Sequence, residues 1–222
     1  MSNRYRAALF LAVAIAVGVA VTPAHAAKGQ WSIGGNFGVG TYSNGAFNDW
    51  LQTQNPPLKE VKDGWEYGGS IRYGVSPKVA LDYEVNLLNG TVTDDNYTPN
   101  VDISTKSVAL PLSLYYQLAS NDKYAFHFIV GAGPMVSTKW KLDDGTPPGT
   151  VESKSKTAFY AHGGFEGDWM VGKTVAITGR VLGRLAKASD VEDAADPTNK
   201  VDVDLSGVAF SLGLRVFFGS GY

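Results

Sequence analysis

Eight stretches of this chain alternate between apolar and polar or small residues. That period of two restricts the fold more than any other feature. Side chains two apart share a face of a strand, whereas a helix groups residues three or four apart. The apolar series open with Trp31, Ile33, Phe37 and Val39, then Trp65, Tyr67, Ile71, Tyr73 and Val75, then Val79, Leu81, Tyr83, Val85 and Leu87. Val108, Leu110, Leu112, Leu114, Tyr116 and Leu118 form the fourth, and Tyr124, Phe126, Phe128 and Val130 the fifth. Phe159, Ala161, Phe165, Trp169 and Val171 follow, then Val175, Ile177, Val181 and Leu185, and last Val208, Phe210, Leu212, Leu214, Val216 and Phe218. The expectation is an all-β chain of eight antiparallel strands, each at least the ~9–11 residues that a tilted membrane strand requires.

The connections alternate in length. Long ones are expected at about 43–63, 89–104, 140–156 and 186–202, rich in turn formers such as Asn55-Pro56-Pro57 and Asp143-Asp144-Gly145. Short ones fall near Ser76-Pro77, Ser120-Asn121-Asp122 and Gly172-Lys173. Long and short in turn describe an up-and-down barrel whose two ends face different compartments, with short periplasmic turns and four long extracellular loops. Hairpins centred on Pro77 and Lys173 would set Arg72 against Asp82, Glu166 against Arg180 and His162 against Arg184, the first two as cross-strand ion pairs. Pro111 and Pro134 each remove a ladder donor inside a strand, so a bulge or a shifted strand end is expected there.

The opening residues read as an address. Arg4 and Arg6 precede an uncharged apolar run from Ala7 to Val21, and Ala24-His25-Ala26 has the form of a cleavage site. The run is shorter than the ~20 residues of a spanning helix, so residues 1–26 are expected to be a signal peptide and 27–222 the barrel domain. Composition points to β structure rather than disorder: 26 glycines, 12% aromatics and only 18% charged residues, against a usual ~25%. A formal net charge of -2 without any like-charge run argues against nucleic acid. The absence of cysteine excludes disulfides, thiolate metal sites and cysteine nucleophiles.

Alternation does not say which face points outward; three features select apolar-out. One face is almost free of charge, while the other carries Glu66, Arg72, Asp82, Glu84, Glu166, Asp168, Arg180, Arg184 and Arg215, a nearly neutral set suited to pairing in a closed interior with His127 and His162. Trp31, Trp65, Tyr73, Tyr124, Trp169 and Phe218 lie near strand ends on the apolar face, as interfacial girdles do. The last strand nearly ends the chain at Phe218. Residues 30–218, with the terminal Gly207–Phe218 (GVAFSLGLRVFF), resemble the small outer-membrane barrels of the OmpA, OmpX and OmpW kind. The four residues after Phe218 depart from the usual terminal strand. The resemblance implies insertion by the barrel-assembly machinery and contact with outer-membrane lipids and lipopolysaccharide.

Neither His127 nor His162 falls in a long connection, no G-x-G-x-x-G precedes a helix, and the acidic stretch around Ser189–Asp202 lacks the glycine of a calcium loop. No catalytic residue, cofactor or metal is therefore expected. Eight strands enclose a space that side chains fill. The reading is a non-enzymatic outer-membrane barrel with a filled polar lumen and interacting extracellular loops. A narrow conduit for small apolar solutes and a periplasmic ligand-binding barrel are the alternatives.

Overall fold

A computed structural model describes residues 28–145 and 149–218; the expected signal peptide, Pro147-Pro148 and the four residues after Phe218 lie outside the described residues. Eleven strands form the sheet: β1 (Trp31–Thr41), β2 (Asp63–Ser76), β3 (Val79–Asp94), β4 (Val101–Ala109), β5 (Leu112–Ser120), β6 (Tyr124–Asp143), β7 (Thr150–Glu152), β8 (Lys156–Met170), β9 (Val175–Glu192), β10 (Lys200–Asp204) and β11 (Gly207–Phe218). Each pairs antiparallel with its neighbours, and β1 closes on β11 from Trp31↔Phe218 to Gly40↔Ala209. β4 with β5, β7 with β8, and β10 with β11 are each consecutive segments of one wall position, so the ring has eight positions. One helix, α1 (Gly45–Gln52), follows β1.

The ladders explain the interrupted strand at Pro111. β3 meets β4 with Asn86↔Ala109 and β5 with Tyr83↔Leu112, a register that passes through Leu110-Pro111 without a shift. The Glu84 N–H still donates to the Pro111 carbonyl at 3.0 Å, and the Leu110 N–H to the Pro134 carbonyl at 2.9 Å. Room comes from Gly133, where a Cβ would stand 2.2 Å from the Leu110 oxygen and 2.8 Å from Pro111 Cα. Of the two outcomes expected at the prolines, Pro111 falls at a strand break between β4 and β5, and the bulge lies elsewhere. The β6 ladders shift between Met135 and Thr138, around Ser137 with φ 56°. A second shift, where β9 meets β10, accompanies Asp190 at φ 52°, whose N–H donates to Asp202 at 2.9 Å.

The strands also run further than expected. β3, β6 and β9 have 16, 20 and 18 residues, and much of 89–104, 140–156 and 186–202 is ladder rather than loop. The ring therefore has a lower tier, near the short turns, and an upper tier that continues the same wall. Lower-tier apolar side chains face outward and are exposed, for example Leu212 and Leu214. In the upper tier they face inward: Leu88, Ile103, Met135, Trp140, Val191, Val203 and Leu205 are buried. Helix α1 lays Phe47 and Leu51 onto this cluster, with Tyr42, Leu58 and Val61 packed alongside. Phe47 and Trp50 sit 6.3 and 4.9 Å from the Trp140 ring. The lid is pinned by polar contacts as well: Asn48 accepts from the Val61 N–H at 2.9 Å, and Asn44 from the Asp204 N–H at 3.0 Å.

Candidate functional site

The lumen of the lower tier gathers nearly all the ionisable side chains that the alternation placed inward. β2, β3, β8, β9 and β11 bring them together because each contributes every second residue to one enclosed face. Buried charge is tolerated only when paired and hydrogen-bonded, and the pairing here runs across the ring. Asp82 accepts from Arg72 Nε at 3.0 Å, Arg215 Nη2 at 3.2 Å and Ser70 Oγ at 3.3 Å. Arg72 also donates through Nη2 to Glu166 at 2.6 Å, and its guanidinium lies 3.6 Å from the centre of the Tyr115 ring. The Tyr115 hydroxyl donates to Glu166 at 3.2 Å.

A second group surrounds Glu84. It accepts from Arg180 Nη1 at 2.8 Å, Ser113 Oγ at 2.6 Å and Asn86 Nδ2 at 3.1 Å. The β8–β9 ladder sets Glu166 opposite Arg180 and His162 opposite Arg184, as the hairpin arithmetic expects. Opposition does not make the Glu166–Arg180 ion pair, however. Glu166 turns to Arg72, and Arg180 reaches across the lumen to Glu84. The reason is the small interior, where the opposite wall is as near as the next strand. Arg72 and Asp82 are both opposed and bonded. Higher up, Arg184 pairs with Glu66 and donates Nε to the Leu205 carbonyl at 2.6 Å.

His127 and His162 are both buried on the lumen face. His127 Nε2 lies 3.3 Å from Asp168 Oδ2, and Arg72 Nη1 stands 3.6 Å from the same oxygen. Beside them is a crevice of about 10 Å³ lined by Ser32, Arg72, Tyr115 and His127, the space of one water. Ser113, His162 and Glu84 invite comparison with a hydrolytic triad, and the geometry does not match one. The Ser113 hydroxyl and the Glu84 carboxylate both approach His162 Nε2, at 3.1 and 3.7 Å, and among the described residues no acid bonds its Nδ1 to orient the ring. Ser70, Asn86, Ser113 and Tyr115 are network members that charge-based reading missed. The signal was present, since all four occupy inward positions of their strands.

The acids of the upper tier are engaged by lysine ammoniums and backbone N–H groups. Glu192 pairs with Lys154 and Lys200, and those ammoniums hold its carboxyl below the usual range. Asp202 pairs with Lys187 at 2.7 Å, and Asp196 accepts from the Thr198 N–H at 3.0 Å. Among the described residues no group of three or more His, Asp or Glu side chains is placed to hold a metal ion. Of the strand-end aromatics, Trp31, Tyr73, Tyr124, Trp169 and Phe218 all stand at the short-turn end, with Tyr124 opposite Trp169 and Trp31 4.7 Å from Tyr73. Trp65 is at the other end, stacked on Phe37.

A closed ring with a charged, filled interior, an apolar outer band and an aromatic girdle defines an integral β-barrel membrane protein. Among the described residues no helix is long and apolar enough to cross a membrane. The chain belongs to the outer membrane protein beta-barrel domain family, which it matches over residues 9–166. It resides in the outer membrane. That location excludes the periplasmic ligand barrel. Among solved structures it is similar to the outer membrane protein OprG from Pseudomonas aeruginosa, with 19% identity, 87% of this chain and 98% of that one covered, and a TM-score of 0.54. It is also similar to Neisserial surface protein A, with 14% identity, coverage of 86% and 99%, and a TM-score of 0.50. These likenesses concern the fold. No curated protein sequence matches the chain.

Proposed function

We propose that this protein is a non-enzymatic, non-conducting barrel that holds a rigid extracellular tier above the membrane for surface interaction and envelope integrity. The observation that carries the reading is the stacking of two closures. A cross-linked charge network fills the lower lumen, and an apolar plug of Phe47, Leu51, Ile103, Trp140 and Leu205 lies on top of it. Water and ions would have to displace bonded arginines and then pass an apolar layer, where every desolvated charge is costly. The extracellular tip offers a contact surface, including a cleft of about 310 Å³ among Asn55, Leu58, Tyr97, Val101, Leu142 and Asp144. Ser113 and His162 serve the network in this reading, not a reaction.

The test is planar-bilayer recording of the refolded barrel, together with uptake of small apolar solutes by cells with and without it. The expected result is no channel steps and unchanged uptake. Sustained conductance, or uptake lost on deletion, would replace this reading with the narrow conduit.

A further inference from the structure

Just above the apolar outer band, two lysines face each other across a ladder. Lys106 on β4 and Lys139 on β6 are direct Cα partners, and both side chains are exposed on the outer wall. The next outward pair toward the membrane is Val108↔Val136. On β4 and β6 the lysines are therefore the first charged outward residues beyond the apolar series, where the apolar wall gives way to a polar one. The same row continues to Asn89 on β3, opposite Lys106, and to Trp65 on β2, opposite Asn89. Directly opposed like charges disfavour a ladder.

Most upper-tier lysines are in ion pairs, exposed Lys156 opposite Thr138 being a further exception. Lys59 has Asp95, Lys141 has Asp143, Lys154 and Lys200 share Glu192, and Lys187 has Asp202. Lys106 and Lys139 make no ion pair or hydrogen bond among the described residues. The bulge at Ser137 creates this arrangement. With unbroken alternation after inward Met135, residue 139 would point inward; the extra residue turns Lys139 out to meet Lys106.

We infer that Lys106 and Lys139 form a clamp for the phosphate of a phosphorylated lipid in the outer leaflet, with the Asn89 amide as a further polar contact and Trp65 beside the lipid at the same height. Opposed Cβ atoms ~5 Å apart let two flexible ammoniums converge on one phosphate. An anion bound there converts the repulsion into two attractions at a surface where each lysine contributes. Position against the apolar wall selects a lipid over a free ion, because the acyl chains of the same molecule lie along Val108 and Val136.

The experiment uses the folded barrel in phosphatidylcholine bilayers alone, with bis-phosphorylated lipid A, and with the dephosphorylated form. Lipid retention is read by native mass spectrometry, and unfolding by heat-dependent gel mobility. K106Q/K139Q should retain on the order of tenfold less phosphorylated lipid than the unmodified protein. K106R/K139R should restore retention, and K187Q should match the unmodified protein. The stability effect should change sign: the glutamine variant resists unfolding better in phosphatidylcholine and less well with phosphorylated lipid. Equal retention by the glutamine variant, or equal retention of dephosphorylated lipid, would overturn the clamp. Displacement of the lipid by millimolar inorganic phosphate would show a free-ion site and overturn the lipid assignment.

Discussion

The lower and upper tiers share one wall and invert its chemistry. On β3 the inward residues change from Asp82, Glu84 and Asn86 to Leu88 and Val92, while the outward ones change from Leu81, Tyr83, Val85 and Leu87 to Asn89, Thr91 and Thr93. β9 repeats the exchange, from inward Thr178, Arg180 and Arg184 to Ala186, Ala188 and Val191. The backbone ladder does not register the change. What differs is the medium outside. Against lipid, apolar side chains gain nothing by turning inward, so the interior can hold the bonded charges that keep the ring specific. Against water the same sheet needs an apolar interior, and it builds one with a helix as lid. The lower tier is held by backbone pairing and ion pairs, the upper by apolar burial. The two should therefore fail separately.

The sharpest way to break the comparison is Arg72→Met. It leaves Asp82, Glu166 and Asp168 short of their shared cation, and removing one partner of a buried ion pair costs about 3–5 kcal/mol. Urea unfolding in bilayers should show the whole barrel losing stability; a loss under 1 kcal/mol would mean that lumenal water replaces the guanidinium. Next comes Leu51→Ala, which empties part of the apolar plug and should cost about 2–5 kcal/mol. Here the loss should be confined to the lid: protease should cut near residues 45–61 on intact cells while the barrel still resists SDS until boiled. Simultaneous loss of both properties would show that the tiers are one cooperative unit.

A smaller effect separates neighbours from partners within the network. Double-mutant cycles should give coupling of at least about 1 kcal/mol for Glu84→Gln with Arg180→Met, and nearer the ~0.5 kcal/mol of additivity for Glu166→Gln with Arg180→Met. The reverse ranking would restore the ion pair that the β8–β9 register suggests. The smallest effect concerns the exposed upper rim. Lys200 and Lys154 lower the pKa of Glu192, so its contribution is present above the carboxyl's ordinary value near 4.5 and is lost as pH falls through the depressed folded value. Proteolysis of the β9–β10 hairpin should increase at acid pH, and Glu192→Gln should remove that dependence without changing the lower tier.

Most of the lower tier is legible in the sequence because period two, strand length and charge segregation all record the same physical fact, a wall between lipid and a closed lumen. Alternation assigned Arg72, Asp82, Glu84, Glu166, Arg180 and Arg215 to one face, and the two short turns at Pro77 and Lys173 defined the registers of all but Arg215. It could not say who bonds whom, since partners such as Glu84 and Arg180 meet across a ring that exists only after closure. The upper tier was hidden for a different reason. Its outward residues are Asp, Thr and Lys, which read as loop. Its inward Val201, Val203 and Trp140 interrupt a rule learned from the membrane. Unbroken numbering would also have pointed Lys139 and Asp190 inward; single-residue bulges at Ser137 and Asp190 reversed them. Local composition thus determined the barrel and its lipid-facing band. The plug, the bonding pattern and the opposed lysines were decided by tertiary structure, because each depends on distant segments sharing one enclosed space or one point on the wall.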